Sequence, residues 1–290
     1  MARELNSKSQ MNQPEKHIKS YKRKMSGYKS LQNRYRLIKP VLSIPILIVL
    51  YSNPSFSQNN FKPGEELEYL VYFGPVNAGM AVINLQRTIQ NNQQVFYSKL
   101  EAKSIGLADK LYRIRDTYEC YFDSVTVLPF MAIRNVREGR KYKKKNIDTY
   151  NHKNKAIYSV NKGEIEMLNV TRDVISAFYF IRNYNFSTLK KGDIITTDLL
   201  FDDELMTFRL HYMGKEAIES KIGKFNCLKL VPELVETKKQ TDSENVSPSP
   251  KDEMIIWLSD DPNQVPIRVR FNLFVGSIKA DLIEYYNLKY

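Results

Sequence analysis

The chain has 290 residues, 44 Lys and Arg against 32 Asp and Glu, and a formal charge of +12. The excess sits at one end: residues 1–40 hold eleven basic and two acidic residues, residues 41–57 hold none, and residues 58–290 carry only +3. A body so nearly balanced gives a phosphate-binding surface little support, and no nucleic-acid partner is expected.

The first predicted element is an address. A basic stretch through Arg34, Arg36 and Lys39 precedes the eleven-residue apolar run Val41–Tyr51, and Ser55 and Ser57 then fall in the small positions of an export-cleavage site. As a helix the run spans about 16 Å, against a hydrocarbon core of about 30 Å, and Pro45 interrupts it. The expectation is therefore a basic n-region and signal peptide over 1–57, cleaved after Ser57, with an uncleaved anchor as the alternative. Met25 is an alternative start, which would make 1–24 an extension. No Cys lies near the cleavage site for lipid attachment. Residues 58–290 are then a single exported domain in the periplasm or at the outer-membrane periphery of a bacterium. After cleavage that domain does not span a membrane.

The exported part reads as strands. Leu67–Phe73 and Met80–Ile89 form a hairpin about a turn containing Gly79; Val95–Ala102 follows Asn91-Asn92. Ile105–Leu111 is a short helix, and Arg113–Phe122 alternates as a strand. Phe130–Val136, Lys141–Asn151, Lys155–Val160 and Glu164–Leu168 are short strands with polar breaks. The basic run Arg137–Lys145 reads as the solvated end of a hairpin, with anionic headgroups or an acidic partner as the alternative.

The clearest helix covers about 171–184. Thr171 is its expected N-cap, and its apolar residues leave so little polar surface that it must be buried. Ile194–Phe201, Leu205–Tyr212, Lys215–Ser220 and Phe225–Leu230 are further strands, with Asp202-Asp203 at a tight turn. Residues 236–250 are rich in Ser, Pro, Thr and Lys and read as a mobile loop. Met254–Leu258 carries the single tryptophan, Trp257. Ser259–Asn263 is a turn by composition. Beyond it Val265, Ile267, Val269 and Phe271 alternate with Arg268 and Arg270, the mark of a half-buried strand. Strands at Ile267–Val275 and Ile278–Tyr286 close the chain. The fold class is mainly β: an antiparallel, highly curved sheet or barrel of about a dozen strands around one buried helix.

Several segments carry a resemblance by their order and spacing. They are Pro63-Gly64-Glu65 with its Tyr-rich strand, Asp173 to Arg182, Gly223 to Pro232, and Ile256 to Asp261 with Val265-Pro266. Over most of residues 60–288 the chain resembles the exported bacterial family known as domain of unknown function 3108. The resemblance implies an envelope β-protein and brings no catalytic residues with it.

The residues themselves offer little chemistry. His152 and His211 are the histidines after residue 57, and neither has a metal-type spacing with a second ligand, so no metal and no cofactor is expected. The pairs Glu65-Glu66, Asp202-Asp203 and Asp260-Asp261 fall at turns, where carboxylates are ordinary. An enzyme is not expected. Cys120 and Cys227 stay open between two readings. A disulfide would close a loop of about 107 residues and contribute about 4–5 kcal/mol in the chain-entropy picture; otherwise they are two small buried residues on strands.

The leading functional expectation is a non-catalytic binder of an apolar or lipid-like molecule. Phe178, Tyr179, Arg182 and Trp257 are the candidate cavity residues, with Arg182 as an anion anchor. The same aromatics could instead fill the core completely. Two alternatives are an assembly factor that docks to an envelope protein and an outer-membrane barrel, the latter suggested by the alternating, aromatic-ended C-terminus.

Overall fold

The computed structural model describes residues 59–90, 92–167, 169–236, 254–273 and 276–290. The signal-like segment and the loop beyond residue 236 lie outside the described residues. Fifteen strands form one sheet. They are β1 (Glu66–Phe73), β2 (Val76–Gln90), β3 (Gln93–Ser104), β4 (Arg115–Phe122), β5 (Pro129–Glu138), β6 (Tyr142–Asn151), β7 (Ala156–Ser159), β8 (Gly163–Glu166), β9 (Thr171–Arg172), β10 (Ile194–Phe201), β11 (Glu204–Ser220), β12 (Gly223–Glu236), β13 (Met254–Ser259), β14 (Pro266–Asn272) and β15 (Ser277–Tyr286). Helix α1 (Gly106–Leu111) follows β3, and helix α2 (Val174–Arg182) follows β9.

The order β8-β7-β6-β5-β4-β3-β2-β1-β15-β14-β13-β12-β11-β10-β9 puts the first and last strands side by side in the middle. Every pairing is antiparallel except that of β9 with β10. This order dictates curvature. Laid flat, fifteen strands at 4.7–4.9 Å spacing would hold β8 and β9 about 67 Å apart. The chain crosses from Glu166 to Thr171, a reach of at most about 18 Å. The sheet must roll until its edges face each other across a seam, and β8 and β9 do not pair.

Helix α2 fills the roll. Ile175 and Tyr179 join one cluster, with Phe61, Leu67, Leu85, Phe96, Phe122 and Trp257. Ala177 and Ile181 join another, with Ile195, Leu199, Leu210, Leu230 and Leu258. The unbroken apolar run in β13 follows from this, because Ile255 and Trp257 face the first cluster and Ile256 and Leu258 the second. A strand buried on both faces does not alternate. The predicted hairpin of β13 and β14 is present, with Trp257 opposite Arg268 and Ile256 opposite Val269. Gly79, expected in the turn, instead lies inside β2, which starts at Val76; it pairs with Ser104 of β3, and a Cβ there would stand 2.8 Å from the Lys103 carbonyl oxygen.

Two further differences from expectation bear on the site. The strands read as Leu205–Tyr212 and Lys215–Ser220 are one, with a break in register between Tyr212 and Lys215; Gly214 there has φ +90°. Thr171 is not the helix cap. Asp173 caps α2, accepting from the backbone N–H groups of Ile175 and Ser176, both at 3.0 Å, while Ser176 Oγ accepts from the Asp173 N–H at 3.0 Å. A carboxylate that satisfies two orphan donors wins over a hydroxyl two residues earlier. Thr171 and Arg172 are thereby left as the short strand β9.

Cys120 and Cys227 are free and buried. The Cys120 thiol donates to Asp173 Oδ1 at 3.0 Å. Burial pushes the Cys120 thiol well up and lifts Cys227 to about 12.

Candidate functional site

The structure brings Phe178, Tyr179 and Arg182 together and places Trp257 elsewhere in the same cluster. Arg182 is fully buried, and so is Glu65, from the turn that leads into β1. Two guanidinium nitrogens donate to the Glu65 carboxylate, Nη1 to Oε1 and Nη2 to Oε2, the latter at 2.9 Å. Nε and Nη2 also reach the Asn263 carbonyl at 3.3 and 3.2 Å. Phe61, Phe178 and Tyr179 rings stand 5.5–5.7 Å from Cζ. The Arg182 fork is thus occupied by the protein's own groups. Tyr179 bonds Ser98 Oγ at 3.2 Å. Trp257 donates to Glu216 at 3.3 Å under Lys229 and Arg270. None of the four lines either of two clefts of about 550 and 440 Å³; Phe61, which touches Tyr179, lines the smaller.

The more informative chemistry is at the seam, where sequence reading placed no site. Its upper part is a clasp. Asp202 and Asp203 occupy the two-residue turn between β10 and β11, at φ 54° and 68°. Two central residues at positive φ are what a type I′ hairpin needs, and Asp tolerates that region. From across the seam Arg134 of β5 and Lys144 of β6 both bind Asp202. Lys144 also reaches Asp203 Oδ2 at 3.2 Å, and Asp203 Oδ1 accepts from Asn146 (2.6 Å) and Ser159 (3.0 Å). Lys162 donates to the Asp203 carbonyl at 2.7 Å. The Lys144 ammonium holds the Asp202 carboxyl below its ordinary range. Nearby, burial lifts Asp148 to about 6, aided by Asp203. Part of the basic run of one hairpin and the acidic turn of another are therefore a single latch.

Below the clasp the seam opens into the cleft of about 550 Å³. Leu128, His152, Lys155, Met167, Val170 and Arg172 are among its walls, together with Thr197 and Asp198 of β10. Arg172 is 7% exposed. Its Nη1 donates to Thr197 Oγ1 at 2.8 Å, and the Phe180 ring lies 4.0 Å from Cζ. Its Nε has no partner. Among the described residues no carboxylate pairs with it, and burial lowers the guanidinium to about 10. Both Asp198 oxygens are engaged, by Asn169 at 3.0 Å and Thr207 at 3.2 Å. In the same cleft the His152 ring contacts the Pro129 carbonyl at 2.9 Å, and burial together with Arg172 holds its pKa down. His211 lies against Glu233 at 3.1 Å on the β11–β12 ladder.

One sheet rolled round a buried helix, with its edges drawn together by side chains rather than by backbone pairing, defines a β-barrel-like shell with an open seam. The chain belongs to the family described as protein of unknown function (DUF3108), which matches residues 68–283. No curated protein matches it. Among solved structures it is similar to a β-barrel-like protein of domain of unknown function DUF1849 from Brucella abortus, at 7% identity and TM-score 0.49, over 79% of this chain and 100% of that one. It is also similar to a candidate lipoprotein from Parabacteroides distasonis, at 10% identity and TM-score 0.33, over 80% and 98%. A candidate exported protein with a YmcC-like fold from Bacteroides fragilis aligns at 11% identity and TM-score 0.34, over 79% and 100%.

Proposed function

We propose that this protein is an exported component of the bacterial envelope that binds an apolar, lipid-like molecule without transforming it, and that the molecule sits in the seam cleft. The observation that carries this reading is the seam itself. A sheet that rolls to near closure but leaves its edges unpaired keeps an entrance into its interior, and about 550 Å³ lies within the range of small-molecule sites. Leu128, Met167 and Val170 give that entrance an apolar surface. The carboxylates of the clasp are engaged with Lys, Arg, Asn and Ser, an arrangement suited to holding edges together rather than to proton transfer. Export rests on the basic and apolar pattern of residues 1–57, with the periplasm as the proposed compartment.

Among the described residues no helix is long and apolar enough to cross a membrane. A barrel embedded in lipid needs every backbone group paired, and an open seam weighs against that arrangement. The test is native mass spectrometry with organic extraction on protein recovered from fractionated envelope. A lipid-like molecule carried by protein recovered without detergent supports the reading. Protein that is consistently empty overturns it.

Docking to an envelope partner is the second reading, and a specific surface favours it. None of the residues of α1 is buried, and Leu107 and Leu111 are exposed. The Ile105 N–H just before α1 bonds the Ala78 carbonyl, close in sequence to exposed Val76. Cross-linking from Leu107→Cys in intact cells would identify such a partner, and the absence of any adduct would remove this reading.

A further inference from the structure

We propose that Arg172 is the binding residue of an anion site, and that the seam cleft takes the carboxylate or phosphate group of its ligand there. This rests on the binder reading and adds the ligand's class: an amphiphile with an anionic head.

The argument starts from the donors. A guanidinium carries five N–H groups in a plane and a charge that persists at neutral pH. Burying it without a counterion is costly, and proteins avoid this by pairing. Arg182 obeys the rule, with two bonds to Glu65 and two to the Asn263 carbonyl. Arg172, almost as deep, has one bond, to Thr197, and one ring against its face. The ring interacts with one plane of the cation and leaves edge donors free. Nε is among them. Arg172 lines the open cleft with donors to spare, and a guanidinium with unpaired donors is the group that carboxylate and phosphate oxygens fit.

The surroundings agree. Lys155 is exposed at the same cleft and adds a second cation at its rim. His152, in the same cleft, has its pKa held down by burial and, to a smaller extent, by Arg172, so an anion beside the arginine would relieve part of that depression. Asp198 is the opposing charge on the wall, and its oxygens are turned to Asn169 and Thr207. Leu128, Met167 and Val170 offer the apolar contact that a chain attached to the anion would use.

The test compares dodecanoate, dodecanol and inorganic phosphate by isothermal titration calorimetry, on the wild-type protein and on Arg172→Met. The expected result is that dodecanoate binds at least tenfold more tightly than dodecanol, and that Arg172→Met abolishes the difference while its Tm stays equal or rises, because an unpaired buried charge has been removed. Arg172→Gln is the second variant, should the first fail to fold. The His152 ring signal in NMR should show a raised pKa when dodecanoate is bound. Phosphate that binds alone assigns the site to the free anion; phosphate that does not, with dodecanoate that does, assigns it to a head carried on a chain. Equal binding of dodecanoate and dodecanol, or an unchanged ratio in both variants, overturns the Arg172 assignment and leaves the binder reading intact. No binding of any of the three overturns both.

Discussion

Replacing Glu65 by Gln should destabilise the protein by about 3–5 kcal/mol, the range seen when one partner of a buried pair is removed. The structure sets the value near that range for three reasons. Arg182 is 0% exposed and Glu65 2%, so water cannot take over the lost partner. Both carboxylate oxygens accept from the guanidinium, so the amide keeps one acceptor and loses the charge. The remaining Asn263 carbonyl is a neutral dipole. Against a typical domain stability of 5–15 kcal/mol the loss is large. Urea unfolding followed by fluorescence measures it directly, because Trp257 is the single tryptophan and is buried. With m of at most about 3 kcal/mol/M, the midpoint should fall by at least about 1 M. Glu65→Leu combined with Arg182→Met should recover most of the loss, since removing both charges leaves nothing unpaired. A loss below about 1 kcal/mol for Glu65→Gln would refute the reasoning, and with it the inference that an unpaired Arg172 is a cost.

Asp173→Ala removes the acceptor of two backbone donors and of the Cys120 thiol, so a loss of about 2 kcal/mol is expected in the same urea assay; a change under 0.5 kcal/mol, by the cap scale, would deny that this carboxylate starts the helix. Asp148 gives a pH signature. Its folded pKa of about 6 lies above the ordinary 3.8, so the native state holds the proton more tightly, and this group's contribution falls as pH rises from about 4 to 6. The group is only partly buried, so the difference is discounted for solvent screening to about 1–2 kcal/mol. Asp148→Asn should remove that slope, and the same wild-type-minus-variant difference at pH 4.5 and 7.5 would count against it. Cys120 and Cys227 should resist Ellman's reagent until the protein unfolds, and a reductant should leave Tm unchanged; a drop in Tm with reductant would restore the disulfide.

Much of the fold was legible because its signals are local. Strands facing a core on one side alternate, and turns declare themselves through Gly, Asn and Asp, so most of the strand boundaries follow from neighbouring residues. The Trp257 run departs from alternation for a reason the sequence cannot show, since it takes two clusters to bury both faces. The helix start was displaced by two residues because Thr171 and Asp173 are both good caps, and only Asp173 has Ser176 to complete a capping box. That small displacement hid the site. Placed inside a helix's first turn, Arg172 carries no sign of a site; as the residue before the cap it is a buried strand residue opposite Leu199. The clasp was hidden differently. Asp202 and Lys144 were each visible as parts of polar turns, but they lie 58 residues apart, and nothing short of the rolled sheet brings them together.

Two buried arginines flank one helix and meet opposite fates, and the contrast separates what folds this chain from what it is for. Arg182 sits in the last turn of α2, where the helix dipole favours a cation. The chain brings it a carboxylate from 117 residues away. Its anion is part of the protein, so a site that needed Arg182 free would have to break the pair that anchors the β1 entrance to the helix. Arg172 receives a hydroxyl and a ring, which orient the guanidinium without neutralising it. It lies at the seam, where among the described residues this sheet leaves its two edges unpaired. A side chain held in place, charged, and short of a partner beside an opening is preorganised for something that arrives from outside. The cost of keeping it so is offset only when that partner binds, so Arg172→Met should lower the Tm of the ligand-bound protein more than that of the empty protein.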